Sequence, residues 1–256
     1  MSDLLAGLAY PFRAIGLINR QPRLWRFIIA PIMVNIVVGA LLYLGLYAGL
    51  LQLLDTYLVV GEGGLATVLL WIVRVLLAVT LAVGIGFLLV RFGVLLGSPW
   101  YSRLSEELEA LLTGERAPPQ RLTFRGVSYD LWRALQFEAK KLLLALSIWL
   151  PSLLLLLIPG LGGLLYAAVG ITLGATISCL DFFDGPLERR RLGFRTKLGV
   201  VRRLLPASAS FGLVAFGLVS IPLVNLLAIP LCVAAGNMLV IERVIGGALD
   251  REMRET

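Results

Sequence analysis

Six apolar segments, at about residues 27–54, 65–101, 142–158, 164–180, 204–219 and 226–241, restrict the fold of this chain more than any other feature. A bilayer core about 30 Å thick is crossed by roughly 20 helical residues, and the first two segments exceed that length. No water in such a core satisfies a stray backbone N–H or C=O, so the segments must be helices that close their hydrogen bonds internally. Hydrophobic residues make up 59% of the 256 and charged residues only 15%. A soluble domain is about half apolar and about a quarter charged, so a water-soluble fold of this size is excluded. The expectation is an all-α integral membrane protein forming a single membrane domain over residues 1–256.

The later segments are shorter. Those at 142–158 and 164–180 are joined by PGLGG, and those at 204–219 and 226–241 by SIPLVN. Each arm amounts to roughly 25 Å of helix, and Pro151, Pro206 and Pro230 interrupt the arms. Such helical hairpins either cross with bent ends or penetrate part-way and return. Partial penetration requires cover from protein or water.

All but two of the 23 lysines and arginines lie before Phe27, within 102–141, between Asp181 and Arg203, or after Ile241. The opposite connections carry none. This one-sidedness is the positive-inside pattern and places both termini in the cytoplasm. With a net charge of +7, a lipid bilayer with anionic headgroups is the expected counterpart, not nucleic acid. The start, MSDLLAGLAYPFRAIGLINR, lacks the basic region and the small-residue cleavage site of a signal peptide. Within 102–141, Leu104, Leu108, Leu111 and Leu112 share one helical face while Glu106, Glu107 and Glu109 fall elsewhere. Segment two therefore continues as a cytoplasmic helix, turns at Ala117–Pro119, and returns as a helix starting near Ser128 or Asp130.

Enzyme signatures are absent. There is no histidine, and Cys179 and Cys232 lie in apolar runs, where cysteine acts as a small hydrophobe and not as a disulfide partner. GIGF and GLGG lack the strand, helix and lysine of a phosphate loop. No catalytic residue, metal site or cofactor is expected.

The informative charges lie at or in the membrane. Arg74 and Arg91 fall inside segment two, where a central arginine costs at least about 2.5–3.5 kcal/mol. Each either snorkels to an interface, lines an anion path, or pairs with a carboxylate such as Glu138. Arg20, Arg23 and Arg26 recur every third residue ahead of segment one. A helix starting at Pro22 presents free N–H groups beside Arg23 and Arg26, a combination suited to an oxyanion. The same arginines also fit orientation charges and phospholipid anchors, which are the commoner use.

The stretches GLINRQPRLWRFIIAPIMVN, GSPWYSRLSEELE, LDFFDGPLERRRLGF and SIPLVNLLAIPLCVAAGNMLV, in this order and spacing, resemble the CysZ-type sulfate permease family. That family shares a domain with eukaryotic etoposide-induced membrane proteins, and the resemblance covers about residues 10–245. It implies an inner-membrane homo-oligomer of long helices and short, partly penetrating hairpins. It implies entry of sulfate to the cytoplasm for cysteine synthesis, with no ATP-binding domain of its own. The sulfate site it implies is Arg23, Leu24, Trp25 and Arg26. The family has two adjacent arginines after PxL; Arg26 matches, Trp25 does not, and Arg23 supplies the second charge. It also implies an internal charge network or ion path through Glu106, Glu109, Glu138, Asp181, Arg189 and Arg190, to which Arg74 and Arg91 are added. The alternative is a membrane scaffold or lipid-organising protein without transport activity, its ERRR and VRR runs set against anionic lipid.

Overall fold

The computed structural model describes residues 3–57, 63–114, 124–221 and 224–245, excluding the side chains of 89–96, 98 and 124–131. Among the described residues there is no strand. The first helix, α1 (Asp3–Arg20), has no counterpart among the six apolar segments. Gly7, Tyr10, Pro11, Ala14 and Ile18 form its buried stripe, at helical spacing, and it packs on two later helices, α7 (Ala207–Ser220) and α8 (Val224–Val240). A Cβ on Gly7 would lie 2.1 Å from the Ala207 carbonyl oxygen, so α1 and α7 cross with their backbones in contact.

Helix α2 (Pro22–Tyr57) begins at the proline that the sequence predicts. The fixed φ of proline suits a first helical turn, and the Leu24 N–H donates to the Gln21 carbonyl at 2.9 Å. Helix α3 (Gly64–Thr113) runs for 50 residues, about 75 Å of helix. It carries segment two and the start of the predicted cytoplasmic extension without a break, then ends where Gly114 takes the left-handed conformation at φ 76°. The turn expected at Ala117–Pro119 lies outside the described residues. Helices α2 and α3 pair with each other, while Leu41, Leu44, Leu69 and Val83 stay exposed. Apolar outward faces on a pair this long suit a lipid surround.

Helix α4 (Phe124–Ser152) starts ahead of Ser128 and passes, after Pro151, into a 3₁₀ segment, Leu153–Leu157. Helix α5 (Gly162–Arg189) continues beyond the expected end at Leu180, through LDFFDGPLER. Its charges there meet partners on other helices, so the helix has no need to stop. The first hairpin therefore has arms of 26 and 28 residues, longer than the spacing of apolar residues suggests and sufficient to cross a bilayer.

The second hairpin is different. Helix α6 (Phe194–Arg203) meets α7 at 107° across Leu204–Pro206, so the helix expected from residue 204 starts at Ala207. Helix α7 has 14 residues, about 21 Å. Helix α8 contains Pro230 without interruption and ends in a π-helical turn, Ile241–Ile245. It is packed between α1, α3, α5 and α7, with Ala234, Ala235, Asn237, Leu239 and Val240 fully buried. Protein cover of this kind is what makes a short hairpin tolerable at membrane depth. The core joins Phe183 stacked on Phe211, ring centroids 5.3 Å apart, to Leu104, Leu108, Leu180 and Leu187. Cys179 and Cys232 are buried and free, as small apolar filler. The chain is a multi-pass membrane protein: among the described residues, five helices are long and apolar enough to span.

Candidate functional site

The opening turn of α2 gathers the four residues of the implied sulfate site and divides their roles. Arg23 and Arg26 are exposed, and the Arg26 guanidinium lies 4.5 Å over the Phe27 ring. Leu24 is buried in the core. Trp25 forms a wall of a cavity of about 170 Å³, shared with Ile15, Ile18, Asn19, Ile28, Leu227 and Leu231. Arg20 does not join them on one face, because it belongs to the last turn of α1 and Gln21 separates the two helices. Each placement is electrostatically favourable: Arg20 sits at the negative end of a helix, and the positive end of α2 adds to Arg23 and Arg26 in attracting an anion.

A second group of charges joins the C-terminal parts of α3 and α5. Glu109 on α3 accepts from Arg189 Nε at 3.0 Å on one oxygen and from Arg190 Nη2 at 2.8 Å on the other. Both guanidiniums have a further anchor. Arg189 Nη2, which also reaches Glu109, donates to the Ser105 carbonyl at 3.1 Å, and Arg190 Nη1 donates to the Pro186 carbonyl at 3.0 Å. Burial alone pushes the Glu109 carboxyl up; the hydrogen bonds and charges of Arg190 and Arg189 outweigh it and hold the group below its ordinary value.

Other expected members lie apart. Asp181 accepts from Lys141 Nζ at 2.5 Å, and Lys141 reaches Glu138, one turn away on α4, at 2.8 Å. Glu138 therefore serves Lys141 and not Arg74. Arg74 pairs with Asp55 across the α2–α3 hairpin at 2.9 Å. Glu106 is on the exposed side of α3. Arg91 lies on α3, and its side chain is outside the described residues.

The sequence reasoning missed several charges. Lys197 on α6 is buried, pairs with Asp184 and, at 2.5 Å, with Glu188, and holds its Nζ 4.4 Å over the Phe137 ring. Arg133 completes that cluster through Glu188 at 2.8 Å. The spacing of Asp184 and Glu188, four residues apart on one helix, was the available signal; nothing local in GFRTKLGV marks Lys197 as buried. On the other side, Tyr10 and Arg13 of α1 hold Glu242 at 3.0 and 2.8 Å. Burial first, then the Glu242 carboxylate, pushes the Tyr10 phenol up and keeps it a donor.

This chain is similar to proteins called Sulfate transporter CysZ. It is 28% identical to that of Vibrio cholerae serotype O1 over 221 residues, 84% of this chain and 85% of the relative. It is 26% identical to that of Pectobacterium atrosepticum over 241 residues, 93% and 85% of the two chains. It is also 26% identical to that of Salmonella typhimurium over 219 residues, 84% of each chain. The family model described as Sulfate transporter CysZ/Etoposide-induced protein 2.4 matches residues 10–230. With the helix-start arginines and the paired charges set on long membrane helices across that range, the chain belongs to the Sulfate transporter CysZ/Etoposide-induced protein 2.4 family.

Proposed function

We propose that this chain is an ATP-independent permease that brings sulfate, or an oxyanion of the same charge, across the inner membrane to the cytoplasm for cysteine synthesis. The observation that carries this reading is the relationship, over 84–93% of the chain, to proteins named sulfate transporters. The physical support is the start of α2. Arg23 and Arg26 stand exposed beside the positive end of a helix opened by Pro22, which supplies charge and forked donors to replace part of the hydration of an oxyanion. Leu24 and Trp25 fix that turn against the core and the neighbouring cleft. The one-sided basic residues favour cytoplasmic termini, and the working unit is a homo-oligomer in the bilayer.

The experiment is uptake of radiolabelled sulfate into liposomes carrying the purified protein, beside Arg26→Ala and empty liposomes. Saturable uptake that disappears in a folded Arg26→Ala variant supports the reading. Uptake by folded wild-type protein no greater than that of empty liposomes overturns it and leaves a lipid-organising scaffold in its place.

A further inference from the structure

The elbow between α1 and α2 carries the cleft of about 170 Å³, and six of its seven lining residues are hydrophobic. Its walls come from the last turns of α1, the first turns of α2 and the early part of α8. Ile15, Trp25 and Leu227 are exposed, so the cleft opens onto a rim that is apolar too. Water does not favour such a space, whereas a ligand of about six carbons fits it, as benzene fits an apolar cavity of about 150 Å³. In a chain whose long helices face lipid, the apolar material within reach is an acyl chain. A void left beside these walls would forfeit their dispersion contacts.

The charges beside the cleft are of one sign. Asn19 is the one polar residue of the wall and Arg20 follows it directly; Arg26 likewise follows Trp25. Arg20, Arg23 and Arg26 are exposed, and among the described residues no carboxylate pairs with any of them. Arg13, the preceding arginine, is by contrast taken by Glu242. Each basic residue near a bilayer favours an anionic over a neutral lipid by roughly fivefold. A free oxyanion would use the arginines and leave the cleft empty. A neutral lipid would fill the cleft and leave the arginines without an anion. Only a ligand with an anionic head and a hydrocarbon tail uses both.

We infer that the elbow holds one anionic phospholipid, its phosphate on the Asn19 amide and the Arg20 guanidinium and part of one acyl chain in the cleft beside Trp25. The inference goes beyond the permease reading and does not depend on it. It also gives a role to Arg20, which the sulfate position leaves aside.

The test is quenching of Trp25 fluorescence by lipids with brominated acyl chains, read as the difference between wild type and Trp25→Phe in phosphatidylcholine vesicles. Brominated phosphatidylglycerol, with its anionic head, quenches the Trp25 signal at a membrane fraction at least about fivefold lower than brominated phosphatidylcholine. Arg20→Gln, a change at an exposed position, reduces that preference severalfold. Glycerol phosphate, the head without its chains, leaves the quenching unchanged at millimolar concentration. Native mass spectrometry of wild-type protein gives the same comparison without a substitution: phosphatidylglycerol is retained in preference to phosphatidylcholine. Equal behaviour of the two lipids overturns the inference and leaves a slot for any acyl chain. Displacement by glycerol phosphate overturns it as well, because the site is then one for free anions. So does a preference that folded Arg20→Gln keeps in full. Sulfate uptake is measured separately, so either reading can fail while the other stands.

Discussion

Lys197 Nζ sits 4.4 Å above the ring of Phe137, inside a pocket whose other walls are the carboxylates of Asp184 and Glu188. Helices α4, α5 and α6 are fastened together at this one ammonium. Removing it leaves Asp184 without its ammonium, while Glu188 keeps Arg133. Breaking a buried pair from one side costs about 3 kcal/mol, and the partial exposure of Asp184 lowers that figure. Lys197→Ala is therefore expected to lower the melting temperature sharply in detergent. Lys197→Ala with Asp184→Asn recovers part of the loss, and equal melting temperatures for Lys197→Ala and wild type would refute the account.

Acid should loosen the Glu109 cluster. The carboxyl is held below its ordinary value of 4.5 in the folded protein, so the unfolded chain takes up the proton first as pH falls. The contribution to stability is whole at neutral pH and disappears as pH drops through the folded value. Melting temperature followed from about pH 7 to about pH 3 should fall less steeply in Glu109→Gln than in wild type. Parallel curves would show that the arginines do not hold this carboxylate charged.

Helix crossings set strict limits on size. A Cβ on Gly212 would lie 2.5 Å from the Ala175 carbonyl oxygen and 2.7 Å from Cys179 Sγ, whereas one on Gly84 would meet nothing within 4 Å. Gly212→Ala is expected to destabilise by about 1–3 kcal/mol through overpacking. Gly84→Ala is expected to be neutral or to stabilise by up to about 1 kcal/mol, as alanine does in an open helix position. Thermal unfolding of the two variants side by side checks both.

The Arg74–Asp55 pair joins α2 and α3 inside their candidate membrane spans, where lipid and not water meets an exposed face. Charges there are screened less than at a surface in water. A double-mutant cycle with Arg74→Gln and Asp55→Asn should therefore return a coupling above the roughly 1 kcal/mol of water-exposed pairs. A coupling of that size or less would mean that water reaches the pair.

Much of the architecture was legible because it rests on local rules. Pro22 announces the start of α2, the leucine stripe after Tyr101 announces that α3 continues as a helix, and Pro206 marks the sharp bend before α7. Helix α1 was hidden because its stripe includes Gly7, Pro11 and Ala14, small residues that pack closely yet add little to an apolar pattern. The extent of α5 was misread since Asp181, Asp184 and Glu188 look like the end of a membrane segment until their partners on α4 and α6 are known. Arg23 and Arg26 were readable as charges at a helix start. That Glu109 would be shared between Arg189 and Arg190, or that Asn237 in an apolar run would be buried beside Gly185, depends on contacts between residues far apart in sequence.

Helix α3 runs as one piece from Gly64, at the tip of its hairpin, to Thr113, and Glu109 lies in its last turns. Some 68 Å of helix separates Gly64 from Glu109, so a one-degree change in tilt about the tip moves the carboxylate by about 1 Å. A helix longer than the hydrocarbon layer answers a thinner bilayer by tilting. A small change of tilt about the tip is thus magnified at the far end of the helix, where Arg189 and Arg190 hold Glu109.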